Sequence, residues 1–358
     1  MKALVTGAAG LIGANLVRTL LRGGHQVRAF VRAASDRRSL DGLAVEIHCG
    51  DVLDLESLCS AARDCDVLFH AAAIFSYEGT HVAELEHLAV EGTINAIHAA
   101  HSAKVRRVVL TSSSVVFGSS NRPLIRNEQD QPDGRDPVPY IMAKQAQEHA
   151  AFEHAESLGV KLVAVCPTLT VGAYGHKLGP SNGAIVAYLS DPSKATFPGG
   201  CNIVSVSDVV QGHVLVAQKG RPGERYLLGS ENLRWSSIHR TISELCGIAG
   251  PSWQANHTTS MLVATAAELI CSVTRTPPLT TRAQARMVGR YYWYEHKKAE
   301  ALGYHPRPAR TALAEAIAWL SASSQITRAL RTTLRLSREV FEAKHALDLD
   351  EAVLQAKR

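Results

Sequence analysis

Tyr140-Ile141-Met142-Ala143-Lys144 sets a phenol and an ammonium four residues apart, on one face of a helix that the spacing starts just after Pro139. Upstream, Leu110-Thr111-Ser112-Ser113-Ser114 reads as a buried strand ending in hydroxyls. A strand-end serine, a tyrosine and a lysine can together deliver a proton to a carbonyl oxygen. Ser113 holds the oxygen, Tyr140 transfers the proton, and Lys144 lowers the phenol pKa from its usual value of about 10. A Tyr-x-x-x-Lys pair alone also arises by chance on helices. Its order behind a glycine turn and a serine strand is what gives it meaning.

That glycine turn is Thr6-Gly7-Ala8-Ala9-Gly10-Leu11-Ile12-Gly13, between the apolar Ala3-Leu4-Val5 and a helical stretch to Arg22. Strand, glycine turn and helix in that order form a phosphate cradle, with Gly7 for the tight turn, Gly10 for close approach of amides to a pyrophosphate and Gly13 for helix packing. Leu11 and Ile12 supply amides of the first helical turn. The second strand reads Arg28-Ala29-Phe30-Val31-Arg32, with no acid before Asp36. An acid there would take a ribose 2′-hydroxyl, whereas Arg32 suits a 2′-phosphate, so NADP(H) is favoured over NAD(H). Ser35, Arg37 and Arg38 either add donors or form a solvated loop. Lys144 can also hold the nicotinamide ribose.

Short β-rich runs at 27–31, 44–48, 67–71, 108–111 and 161–165 alternate with helical stretches at 55–62, 81–103 and 141–158. This alternation predicts an α/β, doubly wound parallel sheet of Rossmann type over 1–172. From 173 to 320, segments rich in Gly, Pro and Asn suggest a smaller substrate lobe, with strands that can return to the main sheet, and substrate between the lobes. Residues 321–358 form a helical extension. Arg328, Arg331, Arg335 and Arg338 beside Ile326, Leu330, Leu334 and Phe341 predict one basic amphipathic helix over 326–341. It would lie on an anionic membrane surface or pack on its own lobe or a partner subunit. Asp348, Asp350 and Glu351 soon reverse the charge.

The 358 residues are 46% hydrophobic and 20% charged, with a net charge of +5. That is ample for a large core and offers no nucleic-acid footprint, so a small molecule is the expected partner. Seven separated cysteines without a C-x-x-C pair read as reduced thiols, and no metal site is expected. The apolar stretch after Lys2 is too short for a signal peptide, and Met261 to Val273, 13 residues containing Glu268, is too short to span a bilayer, so a cytoplasmic location is expected.

With these motifs in view the chain resembles the extended short-chain dehydrogenase/reductase family. Gly7/Gly10/Gly13, Gly50-Asp51-Val52, His70-Ala71-Ala72-Ala73, Thr111-Ser112-Ser113, Tyr140-x-x-x-Lys144 and Pro167-Thr168-Leu169-Thr170-Val171-Gly172 stand in the family's order over about residues 1 to 320. The resemblance implies that Asp51 and Val52 contact the adenine, Ala71, Ala72 and Ala73 line the cofactor, and Pro167 and Thr168 border the nicotinamide. It also implies Ser113, Tyr140 and Lys144 as the catalytic set. Val204 to Val210 and Gly223 to Gly229 look like the branch of dihydroflavonol-4-reductase-like, 3β-hydroxysteroid dehydrogenase and hopanoid-associated epimerase-like proteins. One departure stands out: where the family usually has an asparagine in N-V-x-G-T that helps to hold an active-site water, this chain reads Ala89-Val90-Glu91-Gly92-Thr93.

Phe75 and Tyr77 put an aromatic pair in the loop after Ala73, suited to a flat apolar ketone or to core packing. Only His176, Lys177 and Lys194 are available to clamp a second pyrophosphate, so an apolar carbonyl compound outranks a nucleotide sugar. Three readings follow: a reductase, an epimerase or hydroxysteroid-type dehydrogenase/isomerase, and a non-catalytic NADP sensor. The helical faces at 81–103 and 141–158 can pair two subunits, as the resemblance suggests.

Overall fold

A computed structural model describes residues 1–72, 82–132, 138–274 and 281–356. In chain order the first half runs β1 (Lys2–Thr6), α1 (Leu11–Arg22), β2 (Gln26–Val31), β3 (Glu46–Cys49), α2 (Leu55–Ala62), β4 (Val67–His70), α3 (Val82–Ser102), β5 (Arg107–Thr111), β6 (Ile125–Arg126), α4 (Pro139–Ser157) and β7 (Leu162–Pro167). There follow β8 (Leu169–Val171), α5 (Pro180–Ser190), β9 (Ala195–Thr196), β10 (Gly200–Ser205), α6 (Val206–Lys219), β11 (Arg225–Leu228), β12 (Glu231–Arg234) and α7 (Trp235–Cys246). The remainder is β13 (Trp253–Gln254), α8 (His257–Thr274), α9 (Arg282–Arg286), β14 (Tyr291–Tyr294), α10 (Lys297–Glu300), α11 (Ala309–Ala322), α12 (Arg328–Thr333) and α13 (Arg338–Gln355).

Seven parallel strands form the main sheet in the order β11-β7-β5-β4-β1-β2-β3. Strands buried on both faces read as continuous apolar runs, and the period of two sends neighbours to opposite cores. Ala3 and Val5 of β1 pack with Leu16, Val17 and Leu20 of α1 and Val209 and Val210 of α6. Leu4, between them, packs with Leu58 of α2, Ile97 of α3 and Ala151 of α4. The sheet order reverses direction at β1, between β4 and β2, which opens a crevice at the carboxyl ends of those strands.

The smaller sheet has the order β12-β10-β14-β6, with β8 on β10. It covers a second core that includes Ile185 of α5, Ile203 of β10, Ile238 of α7 and Leu313 of α11. The chain does not stay in this lobe: α6 and β11 return to the main sheet. A small space of about 10 Å³ beside Leu169, Val171, Ile203, Trp235 and Leu313, room for one water, adjoins that core.

The single helix expected over 326–341 is instead two, α12 and α13. Between them the backbone pairs with the end of α7, where Arg335 N donates to Cys246 O at 2.8 Å and Ser337 N to Leu245 O at 2.9 Å. These bonds hold 334–337 out of the helix, so the arginines on either side do not form one continuous face. Ile326 and Val340 are buried in the second core. The helix α13 then reaches the first lobe, where Glu351 pairs with Arg18 at 3.1 Å, Asp350 pairs with Arg22, and Leu354 joins the main-sheet core. Among the described residues no helix is long and apolar enough to cross a membrane.

Candidate active site

The glycine turn connects β1 to α1 at the crevice. Gly7 takes φ +65°, and a Cβ there would stand 2.6 Å from the Ala71 carbonyl oxygen at the end of β4. At Gly13 a Cβ would lie 2.1 Å from the Gly7 carbonyl oxygen. At Gly10 a Cβ would meet Gly7 O at 3.3 Å and, among the described residues, no other non-neighbouring atom within 4 Å. Gly10 caps α1 without a side-chain hydrogen bond, and no acid stands in the first turn. The leading amides of α1, those of Leu11, Ile12 and Gly13, therefore face the crevice without a side-chain cap, an arrangement that fits an anionic pyrophosphate.

Arg32 follows β2 directly and is exposed, while Arg28 is buried and bound to Glu46 at 2.7 Å. Asp36 is tied to Arg38 at 2.5 Å, so this acid and this arginine occupy each other. Asp51 accepts from Leu53 N at 3.0 Å, and the Val52 carbonyl accepts from Asn95 Nδ2 at 3.1 Å. The Ala72 amide donates to Thr6 Oγ1 at 3.2 Å. Ala73, Phe75 and Tyr77 lie outside the described residues. Pro167 ends β7, and Thr168 is fixed by its hydroxyl bond to Asn202 Oδ1 at 2.9 Å.

Ser113 stands two residues beyond β5, extended at φ −155° and ψ 148°, and caps the short turn Ser114–Phe117. Its hydroxyl also bonds to the Tyr140 phenol, in the first turn of α4. One turn further, buried Lys144 donates from Nζ to Thr111 O at 3.1 Å and to Gln147 Oε1 at 2.8 Å. The serine, tyrosine and lysine thus converge at the end of β5, two strands from the glycine turn.

The electrostatics differ from the expectation that Lys144 lowers the phenol pKa. Burial pushes Tyr140 up to about 12, partly opposed by its bond to Ser113. The lysine ammonium is engaged with Thr111 and Gln147 instead. Burial brings Lys144 down to about 8, against the counteracting charge of Glu148. Glu148 is itself buried and pairs with Arg225 at 3.2 Å. Neither Gln147 nor Glu148 stood out in the sequence, although both follow Lys144 at the three- and four-residue spacings of a helix face.

Over residues 3–229 the chain matches the NAD dependent epimerase/dehydratase family. It is 31% identical over 321 residues to a putative dihydroflavonol 4-reductase of Synechocystis sp., covering 88% of this chain and 93% of that protein. Against sterol demethylase protein B of Methylococcus capsulatus the identity is 31% over 338 residues, 91% of this chain and all of that one (100%). The fold is similar to the crystal structure of gox2253, with a TM-score of 0.79 and 30% identity over 91% of this chain and 99% of that one.

Proposed function

Since this chain belongs to the NAD dependent epimerase/dehydratase family, whose members bind a nicotinamide dinucleotide, we propose that it is an NADP(H)-dependent reductase of a carbonyl on an apolar, aromatic or polycyclic small molecule. The observation that carries the reading is the placement of Ser113, Tyr140 and Lys144 together at the end of β5, with the phenol bonded to the Ser113 hydroxyl. A phenol with a pKa of about 12 is a proton donor across the neutral range.

The dinucleotide would be held by the amides of Leu11, Ile12 and Gly13 at its pyrophosphate, with Asp51, Val52, Ala71 and Ala72 along it and Pro167 and Thr168 near the reacting ring. When bound it supplies the hydride. Arg32, exposed at the tip of β2 where no acid competes, would recognise a 2′-phosphate. Ser113 orients the substrate oxygen, Tyr140 gives its proton to that oxygen, and Lys144 keeps positive charge beside the centre below pH about 8. Names such as dihydroflavonol 4-reductase and sterol demethylase protein B favour a ringed, apolar substrate over a nucleotide sugar.

The test is oxidation of NADPH, followed at the nicotinamide absorbance, with a panel of aromatic, steroidal and quinone-like ketones and nucleotide sugars, and NADH in parallel. Turnover of an apolar ketone is expected. A sugar isomerised without net use of cofactor makes the protein an epimerase, and cofactor binding with no chemistry makes it a sensor. Tyr140→Phe should lower kcat by about 10²- to 10⁴-fold while the dinucleotide still binds. Near-full turnover by that variant would remove Tyr140 from the proton-donor role.

A further inference from the structure

We propose that Gln147 is a positioning residue for Lys144, fixing the ammonium to a buried hydrogen-bond chain that crosses the sheet to the glycine turn. The inference rests on the reading of Lys144 as part of the reaction centre. From Lys144 Nζ the chain passes to Gln147 Oε1 at 2.8 Å and from Gln147 Nε2 to Thr93 Oγ1 at 2.7 Å. Thr93 Oγ1 lies 3.2 Å from His70 Nε2, and His70 Nδ1 lies 3.0 Å from Thr6 Oγ1, which accepts from the Ala72 amide. Thr6, His70, Thr93, Lys144 and Gln147 are all buried.

The protons assign themselves. An ammonium only donates, so Gln147 must turn its oxygen to Lys144 and its nitrogen to Thr93. The Thr93 hydroxyl gives its one hydrogen to the Ala89 carbonyl at 2.8 Å. It therefore accepts from both Gln147 and His70, which makes His70 the Nε2–H tautomer, and Nδ1 then takes the Thr6 hydroxyl hydrogen. Donors thus run inward from both ends and meet at Thr93, which passes its own hydrogen to the Ala89 carbonyl. Such a chain orients and does not conduct, because a carboxamide neither gives up nor gains a proton near neutral pH. Burial likewise holds His70 neutral, down to about 3.

Among the described residues, the other ionisable groups around Lys144 are Tyr140 and Glu148 on α4, Cys166 on β7 and His70 on β4. Substitution at 147 leaves all of them in place.

The experiment titrates Lys144 by NMR of 13Cε-labelled lysine in the full-length protein without substrate, the signal being assigned by its loss in Lys144→Met. In Gln147→Leu the lysine pKa should fall by about one pH unit, because a charged donor loses its acceptor. Gln147→Glu, which keeps an acceptor and adds a negative charge, should move it upward. Thr93→Val, which unlocks the amide, should move it in the same direction as Gln147→Leu and by less. With a working substrate, kcat should drop about tenfold in Gln147→Leu with KM nearly unchanged. A lowered unfolding midpoint with an unmoved lysine titration in Gln147→Leu and Gln147→Glu would reduce Gln147 to a packing role and overturn the proposal. Since the titration needs no substrate, a ketone panel without turnover defeats the reductase reading and leaves this result standing.

Discussion

Tyr140 and Lys144 divide the proton chemistry between a phenol that burial keeps protonated and an ammonium that burial brings close to neutrality. Carbonyl reduction needs the first protonated and benefits from charge on the second. The lysine loses its charge first as pH rises, so kcat/KM for reduction should fall on the alkaline side with an apparent pKa near 8, well before the phenol ionises. A profile flat to pH 10 would detach Lys144 from the rate. Arg32 makes a separate prediction. Arg32→Ala should weaken NADPH binding by about 10- to 100-fold, the value of a charge-assisted hydrogen bond, and leave NADH almost unaffected. Equal losses in fluorescence titrations with both cofactors would sink the 2′-phosphate role.

At the scale of elements, surroundings separate a glycine of the phosphate turn from one inside a helix. Gly13 faces backbone at 2.1 Å, whereas a Cβ on Gly183, inside α5, would meet its nearest atom at 4.0 Å. Gly13→Ala should therefore push α1 off β1, lower the unfolding midpoint by several degrees and weaken dinucleotide binding more than tenfold. Gly183→Ala should stabilise by about 0.5–1 kcal/mol, since it only removes backbone freedom from the unfolded chain. Thermal unfolding with and without NADPH reads both, and a harmless Gly13→Ala would contradict the packing. These elements were legible because local pattern decides them. The helix expected at 55–62 is α2, opened by Asp54, whose side chain accepts from Glu56 N at 3.1 Å and Ser57 N at 3.3 Å. The serine, tyrosine and lysine also meet where their motifs suggested. The break at 334–337 was illegible, because Arg335 and Ser337 bond to Cys246 and Leu245 some ninety residues away in the chain, far beyond the windows of about 11–18 residues in which periodicity is read. The chain from Lys144 to Thr6 is hidden for the same reason: it joins four elements, and its residues lie far apart in sequence.

Across the whole molecule, α13 joins both lobes through Val340 in one core and Leu354 in the other, and three buried histidines dominate how the assembled fold answers acid, with smaller contributions of the same sign from His25 and His176. His70 is lowered to about 3 and His213 and His239 to about 4, each mainly by burial. His70 and His213 serve the main sheet, the latter bonding Thr111 at 3.0 Å, while His239 stacks on Tyr188 at 4.1 Å in the second lobe. In the unfolded chain all three would protonate near 6.5; in the fold they stay neutral until far lower pH. Between those limits the unfolded state binds more protons, so stability rises with pH and is lost as pH falls from about 6.5 toward 4. Each histidine contributes up to about 1.4 kcal/mol per pH unit. Urea midpoints at pH 5.0 to 6.5 keep most carboxylates out of the window and should slope steeply. His239→Phe, which fills the space among Tyr188, Phe197 and Trp235 without an ionisable group, should cut that slope by up to about a third whatever it does to the absolute stability. An unchanged slope would mean that His239 is already charged in the fold, and that the second lobe admits water to the aromatic stack.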